Sequence, residues 1–153
     1  ARKGIEFSNY YKISDWLWWY GDYSVSRARF TEFDPAGQFI PGSIQNVFGS
    51  GLTVQSETGL YGTLGLRFFG PRPLIEDNSV QSNATTVLNA QIGYNTQRMR
   101  IAVDFLNLLD SKNQDIAYYY ASRLPGEPLG GVNDIHFHPV EPFNVRASLT
   151  FKW

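Results

Sequence analysis

The last ten residues, Asn144-Val145-Arg146-Ala147-Ser148-Leu149-Thr150-Phe151-Lys152-Trp153, alternate polar and apolar side chains without a break. Successive side chains of an extended chain point to opposite faces. One face of this segment therefore carries Val145, Ala147, Leu149, Phe151 and Trp153. The pattern predicts an amphipathic β-strand that ends the chain.

The same period of two recurs upstream of this strand. It is clear in residues 17–26, 60–69, 88–94 and 99–105, and weaker in residues 5–11 and 46–56. With the terminal segment these make seven predicted strands, and no segment has a convincing helical period. The sequence thus predicts an all-β fold.

The connections between the predicted strands alternate strictly between short and long. The short ones, which predict tight hairpins, are Ser14-Asp15, Glu57-Thr58-Gly59 and Thr96-Gln97. The long ones run from about Asp34 to Gln45, Gly70 to Ala84 and Ala121 to Pro142. In an antiparallel meander this order places every short turn at one end. Transmembrane β-barrels have this arrangement, with short periplasmic turns and long extracellular loops.

Composition agrees with a membrane barrel and excludes several other classes. The 153 residues carry a net charge of −1, no Cys and 16% aromatic residues. Disulfide scaffolds, thiolate metal sites and polybasic nucleic-acid surfaces are therefore excluded. Every unbroken apolar run is far shorter than the ~18 residues that a transmembrane helix needs. No catalytic constellation is visible, so we expect neither enzymatic activity nor a cofactor.

Aromatic residues cluster beside the short turns. Trp16, Trp18 and Trp19 follow the first turn, and Tyr94 precedes the third. Such residues form girdles at the edges of the apolar band of membrane barrels. The sequence predicts that these four belong to the periplasmic girdle.

Seven strands do not make a complete bacterial barrel. Single-chain bacterial barrels have even strand numbers, and an open sheet would leave two unpaired edges in hydrocarbon. Either one further strand escapes the pattern, or the chain is part of a larger barrel.

Several segments resemble the C-terminal barrel portion of TonB-dependent outer-membrane receptors. They are Arg2-Lys3-Gly4-Ile5-Glu6, Phe39-Ile40-Pro41-Gly42, residues 66–74, residues 103–110, Tyr118-Tyr119-Tyr120 and Phe151-Lys152-Trp153. Within residues 103–110, Asn107-Leu108-Leu109-Asp110 is similar to the Asn-Leu-Phe-Asp signature that precedes the final loop of these receptors. At the third position of this signature, the chain has Leu109 where these receptors usually have Phe.

The resemblance implies that residues 1–153 are the C-terminal part of a plugged barrel of about 22 strands. The plug domain and the TonB box would lie upstream and be absent from this chain. The implied function is active uptake of a nutrient, such as an iron–siderophore complex, across the outer membrane of a Gram-negative bacterium. The implied partners are the small nutrient ligand, the TonB complex acting through the plug, outer-membrane lipid and lipopolysaccharide, and the barrel-assembly machinery. No nucleic acid is among them.

Two sets of residues are candidates for specific contacts. Asp134, His136 and His138 project to one side of an extended segment of the longest loop, where imidazole and carboxylate groups could bind a transition metal or a metal complex. The terminal apolar face, Val145, Ala147, Leu149, Phe151 and Trp153, resembles the signal that the barrel-assembly machinery recognises.

Two other classes of protein remain open from the sequence. One is a small stand-alone outer-membrane barrel of about eight strands with a structural or adhesin function. The other is a soluble β-sandwich that binds sugars through exposed Trp and Tyr side chains.

Overall fold

The structure is a computed structural model that describes residues 1–153. It contains nine β-strands: β1 (Arg2–Ser14), β2 (Leu17–Ala28), β3 (Asn46–Gln55), β4 (Leu60–Phe69), β5 (Thr85–Asn95), β6 (Met99–Leu106), β7 (Gln114–Ser122), β8 (Val132–Pro139) and β9 (Asn144–Phe151). No helix in it is long and apolar enough to cross a membrane.

Seven of the strands form one antiparallel sheet in the order β1-β2-β3-β4-β5-β6-β9. These are the seven strands that the sequence predicts, so the all-β antiparallel meander is confirmed. The short connections, residues 15–16, 56–59 and 96–98, lie together at what we call the short-turn end. The long connections, residues 29–45, 70–84 and 107–143, lie at the long-loop end.

The third long connection differs from the prediction. It begins after Leu106, and it contains the hairpin β7–β8, which pairs with itself and not with the main sheet. The sequence prediction of a loop from about Ala121 to Pro142 was wrong in this respect. A hairpin at the end of a sheet need not present one continuous apolar face, so the run Tyr118-Tyr119-Tyr120 lacks the strict alternation that identifies the other strands.

The strand register makes each face of the sheet chemically uniform. Cross-strand partners share a face, because side chains directly opposite in an antiparallel pair project to the same side. One such row crosses five strands through Leu52, Leu64, Ala90, Phe105 and Val145. The adjacent row on the other side is Thr53, Thr63, Gln91, Asp104 and Arg146. We call these two sides the apolar face and the polar face.

The apolar face is not covered within this chain. Only 13 of 153 residues are buried, and Ile5 and Leu149 on this face are 78% and 55% exposed. A soluble β-sandwich buries the inner faces of two sheets against each other. This chain has one large sheet and no second one facing it, so the structure contradicts the sandwich alternative.

Two glycines on the polar face accommodate neighbouring aromatic rings. A Cβ atom on Gly93 would overlap the Tyr61 ring, and one on Gly51 would overlap the Tyr20 ring. Glycine in strands often marks a close approach of this kind. The rings therefore lie flat against the sheet and project little from the polar face.

Candidate functional site

The long-loop end is an ordered layer in which neighbouring connections contact each other. The first long connection joins the second through two backbone hydrogen bonds, from the Phe39 N–H to the Glu76 carbonyl (2.9 Å) and from the Gly42 N–H to the Pro73 carbonyl (2.8 Å). Gly37, with φ of +124°, lies so close to Glu76 that a Cβ atom would overlap its carbonyl. The contact therefore depends on glycine at this position.

The second long connection also contacts the third. The buried Arg72 donates a hydrogen bond of 2.8 Å from its guanidinium to the Asp115 carbonyl, at the start of β7. Next to it, the buried Thr85 hydroxyl donates to the Gln114 carbonyl. The β7–β8 hairpin is thus fixed at its base to the start of β5 and to the second long connection.

Asn107 joins the two ends of the third long connection. It is 2% exposed and has φ of +49°, a conformation that Asn adopts more readily than most residues. Its side-chain amide donates to the Glu141 carbonyl (2.9 Å), and its side-chain oxygen accepts from the Ser111 N–H (3.0 Å). Its backbone N–H donates to the Asn89 side chain (2.9 Å). One side chain therefore fixes both the departure of the chain from β6 and its return to β9.

Asp110, three residues later, makes a second link across the same connection. Its carboxylate accepts from the Lys112 ammonium (2.7 Å) and from the Phe143 N–H (3.0 Å). Those two bonds, Lys112 first, hold the pKa of Asp110 below its ordinary value because they stabilise the ionised carboxylate. Asn107 and Asp110 are the polar residues of Asn107-Leu108-Leu109-Asp110, so this sequence serves as a clamp at the loop base.

The predicted contact residues Asp134, His136 and His138 lie on β8. Their partners on β7 are Tyr120, Tyr118 and Ile116, in that order, so the six side chains share one face of the hairpin. We call it the hairpin contact face.

A stacked pair of rings lies in the middle of the hairpin contact face. The His136 ring stacks on the Tyr120 ring, with centroids 4.0 Å apart and planes at 18°. Tyr118 and Tyr120 are 61% and 53% exposed. The face thus offers aromatic surface, imidazole nitrogens and one carboxylate to the solvent, and it can stack on and hydrogen-bond a flat polar ligand.

The three predicted residues are not gathered into one cluster. The structure has no group of three or more His, Cys, Asp or Glu side chains that could hold a metal ion. Contact of Asp134, His136 and His138 with a complete metal complex stays a prediction.

The residues proposed for the periplasmic girdle divide between the two faces. Trp19 pairs with Leu52, and Tyr94 pairs with Leu60, so both lie on the apolar face. Trp16 lies in the first short turn and is 54% exposed. Trp18 pairs with Lys12 and Thr53 and therefore lies on the polar face, opposite to Trp19 and Tyr94, and the girdle itself stays a prediction.

The terminal set of apolar residues keeps the predicted alternation. Val145, Ala147, Leu149 and Phe151 pair with apolar residues of β6, while Trp153 lies beyond the end of β9. The role of this set as an assembly signal stays a prediction.

The polar face carries its own network, centred on Asp104. The Gln91 side-chain amide donates to Asp104 Oδ1, and Arg146 Nε lies 3.3 Å from Asp104 Oδ2. Nearer the short-turn end, Arg100 donates to the Tyr61 hydroxyl (2.6 Å). These contacts pair Asp104 with a cation, give Arg100 a hydrogen-bond acceptor and leave the face polar.

Sequence reasoning missed two features of this end of the molecule. One is the Tyr120–His136 stack, which depends on the register of a hairpin that was not predicted. The other is the clamp by Asn107 and Asp110, for which the Asn-Leu-Leu-Asp sequence was a visible signal without a visible role.

Comparison with solved structures identifies the architecture. The chain superposes on the ferric yersiniabactin uptake receptor FyuA from Yersinia pestis with a TM-score of 0.72 and 19% identity, over 99% of its length. It also superposes on the ferric-catecholate import receptor Fiu from E. coli K12 with a TM-score of 0.73 and 18% identity, again over 99%. The chain has the barrel fold of TonB-dependent receptors.

The chain spans 23% of the length of FyuA and 21% of that of Fiu. Its sheet therefore corresponds to one sector of a TonB-dependent receptor barrel. No protein-family model and no curated protein sequence matches the chain.

Proposed function

We propose that this chain is the C-terminal sector of the barrel of an outer-membrane TonB-dependent transporter that imports a small ferric complex. The observation that carries the proposal is the open seven-stranded sheet, which superposes over 99% of the chain on two ferric-complex receptors. The proteins on which it superposes are transport receptors and not enzymes. The function proposed here needs no catalytic residue.

The unpaired edges of the sheet support the proposal. β1 pairs only with β2, and β9 pairs only with β6, so each has one edge of free backbone groups. Such edges are not tolerated in hydrocarbon, whereas strands of a closed barrel have none. Further strands of the same barrel, preceding Ala1 in the chain, would pair with both edges, and a plug bearing the TonB box would precede them.

The chemical character of each face indicates what would surround it in the barrel. The apolar face would lie against outer-membrane lipid and lipopolysaccharide, and the polar face would line the lumen around the plug. The short-turn end would be periplasmic and the long-loop end extracellular. The TonB complex would act through the plug, and the apolar residues of β9 would present the chain to the barrel-assembly machinery.

The hairpin contact face is the proposed point of ligand contact in this sector. Tyr118, Tyr120 and His136 offer stacking surfaces, and Asp134 and His138 offer hydrogen-bonding groups. The clamp at Asn107 holds the hairpin in place, so the face is presented on an ordered base. An iron–siderophore complex has flat polar groups of the kind that such a face can bind.

Uptake of radiolabelled iron by cells that depend on the native full-length protein tests the proposal. We expect a panel of ferric siderophores to include at least one whose uptake requires both this protein and TonB. Asp134→Asn combined with His136→Ala should lower that uptake, whereas Asn133→Ala, a matched change on the opposite face of the hairpin, should leave it intact.

Two outcomes would overturn the proposal. The first is an outer-membrane protein of 17.4 kDa, the mass of this chain alone, which would indicate a stand-alone barrel. The second is uptake that persists without TonB.

A further inference from the structure

A shallow recess of about 390 Å³ lies on the polar face, across strands β2 to β6. Gly65 lines it, and its cross-strand partner Gly51 lies beneath the Tyr20 ring. Because neither glycine has a side chain, the ring lies close to the backbone and the space above Gly65 stays open. The volume of the recess is within the range of small-molecule sites, roughly 300–1,000 Å³.

A second recess continues the first one toward the short-turn end. Thr53 and Thr63, which are direct cross-strand partners, line both recesses. The second recess has a volume of about 280 Å³ and extends to Tyr61 and Arg100. From Arg67 in the first recess to Tyr61 in the second, β4 covers about 20 Å at ~3.3 Å per residue. We call the two joined recesses the polar groove.

An arginine without an ion-pair partner lies at each end of the polar groove. Arg67 and Arg100 are exposed, and neither belongs to the chain's three salt bridges. Strands β4 and β6, which carry these arginines, have a neighbouring strand on both sides. The Arg100 guanidinium donates to the Tyr61 hydroxyl (2.6 Å) and lies 4.8 Å from the centre of its ring. Both guanidinium groups keep N–H donors free for a ligand.

The charge of the polar groove favours an anion. Asp104 is the one carboxylate that lines it, and this group already accepts from Gln91 and lies 3.3 Å from Arg146. Its charge is therefore compensated, whereas those of Arg67 and Arg100 are not. A guanidinium binds negatively charged oxygen atoms more strongly than neutral ones, and it can hold two of them at once.

We infer that the polar groove is a second binding site for the imported ferric complex, and that it selects complexes with negatively charged oxygen groups. The inference rests on the proposed function and adds the charge of the cargo and a position on the barrel wall. After leaving the hairpin contact face, the complex would bind first at Arg67 and then at Arg100. The plug would form the facing side of the groove.

Uptake kinetics in cells that carry the native full-length protein test the inference. The probes are radiolabelled ferric catecholate complexes, which are anions, and ferric hydroxamate complexes, which are neutral or cationic. Energy-depleted cells give the Kd of surface binding, and energised cells give the maximal uptake rate. We expect the transported complex to be an anion. Arg67→Gln should lower its maximal uptake rate about tenfold or more, the effect of one charge-assisted hydrogen bond, and leave its Kd within about twofold.

Matched variants separate charge, space and folding. Arg67→Lys keeps the cation and should recover most of the rate, whereas Arg27→Gln, on the apolar face, should behave as the wild type does. Thr63→Trp narrows the groove where the two recesses meet and should also slow uptake. Ser24→Trp, on the polar face outside the groove, should not. Surface binding with the Kd of the wild type shows that each variant is folded.

Three results would overturn the inference. The first is an equal maximal uptake rate for the wild type and Arg67→Gln. The second is transport of a complex that carries no negative charge. The third is entry of a large antibiotic into Arg67→Gln cells but not into wild-type cells, because this would assign Arg67 to holding the plug.

Failure of the inference is distinguishable from failure of the proposed function. If the wild type shows TonB-dependent uptake and Arg67→Gln takes up the complex at the same rate, only the polar groove is overturned. If the wild type takes up none of the complexes, or takes them up without TonB, the transport proposal is overturned and the inference with it.

Discussion

The seven-stranded sheet and the long-loop end are stabilised in different ways. Of 83 backbone hydrogen bonds, 61 lie within strands, where each contributes to a continuous ladder. The long-loop end has fewer regular bonds and depends on single side chains, above all Asn107. The sheet therefore distributes its stability over many equivalent contacts, whereas the loop layer concentrates it in a few.

This difference has a functional meaning. In the proposed transporter, the sheet would be a wall against lipid, which needs a uniform outer face that many sequences of alternating character can supply. The hairpin would contact the ligand, which needs a defined position that specific hydrogen bonds supply. Changes on the sheet should therefore act through the face on which they lie, and changes in the loop layer through the contact that they remove.

The largest expected effect is the loss of stability caused by an arginine on the apolar face. In the complete barrel, Leu64→Arg should lower the free energy of unfolding by about 2–4 kcal/mol, because a charge near the middle of the lipid-facing surface is poorly solvated. Thr63→Arg, one residue away on the polar face, should cost much less. Equilibrium unfolding in lipid vesicles measures both. Equal losses would contradict the assignment of the faces.

A smaller and local effect is expected at the clamp. Asn107→Ala removes the hydrogen bonds to Ser111 and Glu141 in a buried setting, which should cost about 1–3 kcal/mol. Faster amide exchange and protease cleavage should appear in residues 108–143, while β3 and β4 stay protected. Asn133→Ala serves as the control on the hairpin. Faster exchange or cleavage across the sheet as well would show that the stability of the sheet depends on that of the long-loop end.

The smallest effect should be the acid response of Asp110. The pKa of Asp110 in the folded protein lies below its ordinary value of 3.8, so its contribution is present above pH 3.8. It is lost as the pH falls through the folded value, because the protonated carboxyl binds Lys112 and Phe143 less well. Pepsin cleavage near residues 140–144 should accelerate in that range.

Asp110→Asn provides the control for the acid response. This variant cannot titrate at position 110, so its cleavage near residues 140–144 should lack that acid-dependent step. The same acceleration in wild type and variant would assign the response to another group.

The sequence predicted the sheet well and the loop layer poorly. All seven sheet strands were found because one face of each is apolar and the other polar, which leaves a period of two along the chain. The β7–β8 hairpin was missed because Tyr118-Tyr119-Tyr120 on β7 does not alternate, although residues 134–138 on β8 do. Trp18 was placed in the girdle by its proximity to Trp19, but strand alternation puts the two on opposite faces.

By itself, then, the sequence determined the seven sheet strands, the order of their short and long connections and the segregation of their faces, because these depend on neighbours along the chain. Only the tertiary structure decided the register, the clamp between Asn107 and Glu141 and the stack of His136 on Tyr120. These contacts join residues that are from 16 to 34 positions apart. No local pattern encodes such separations, since they depend on how whole strands align.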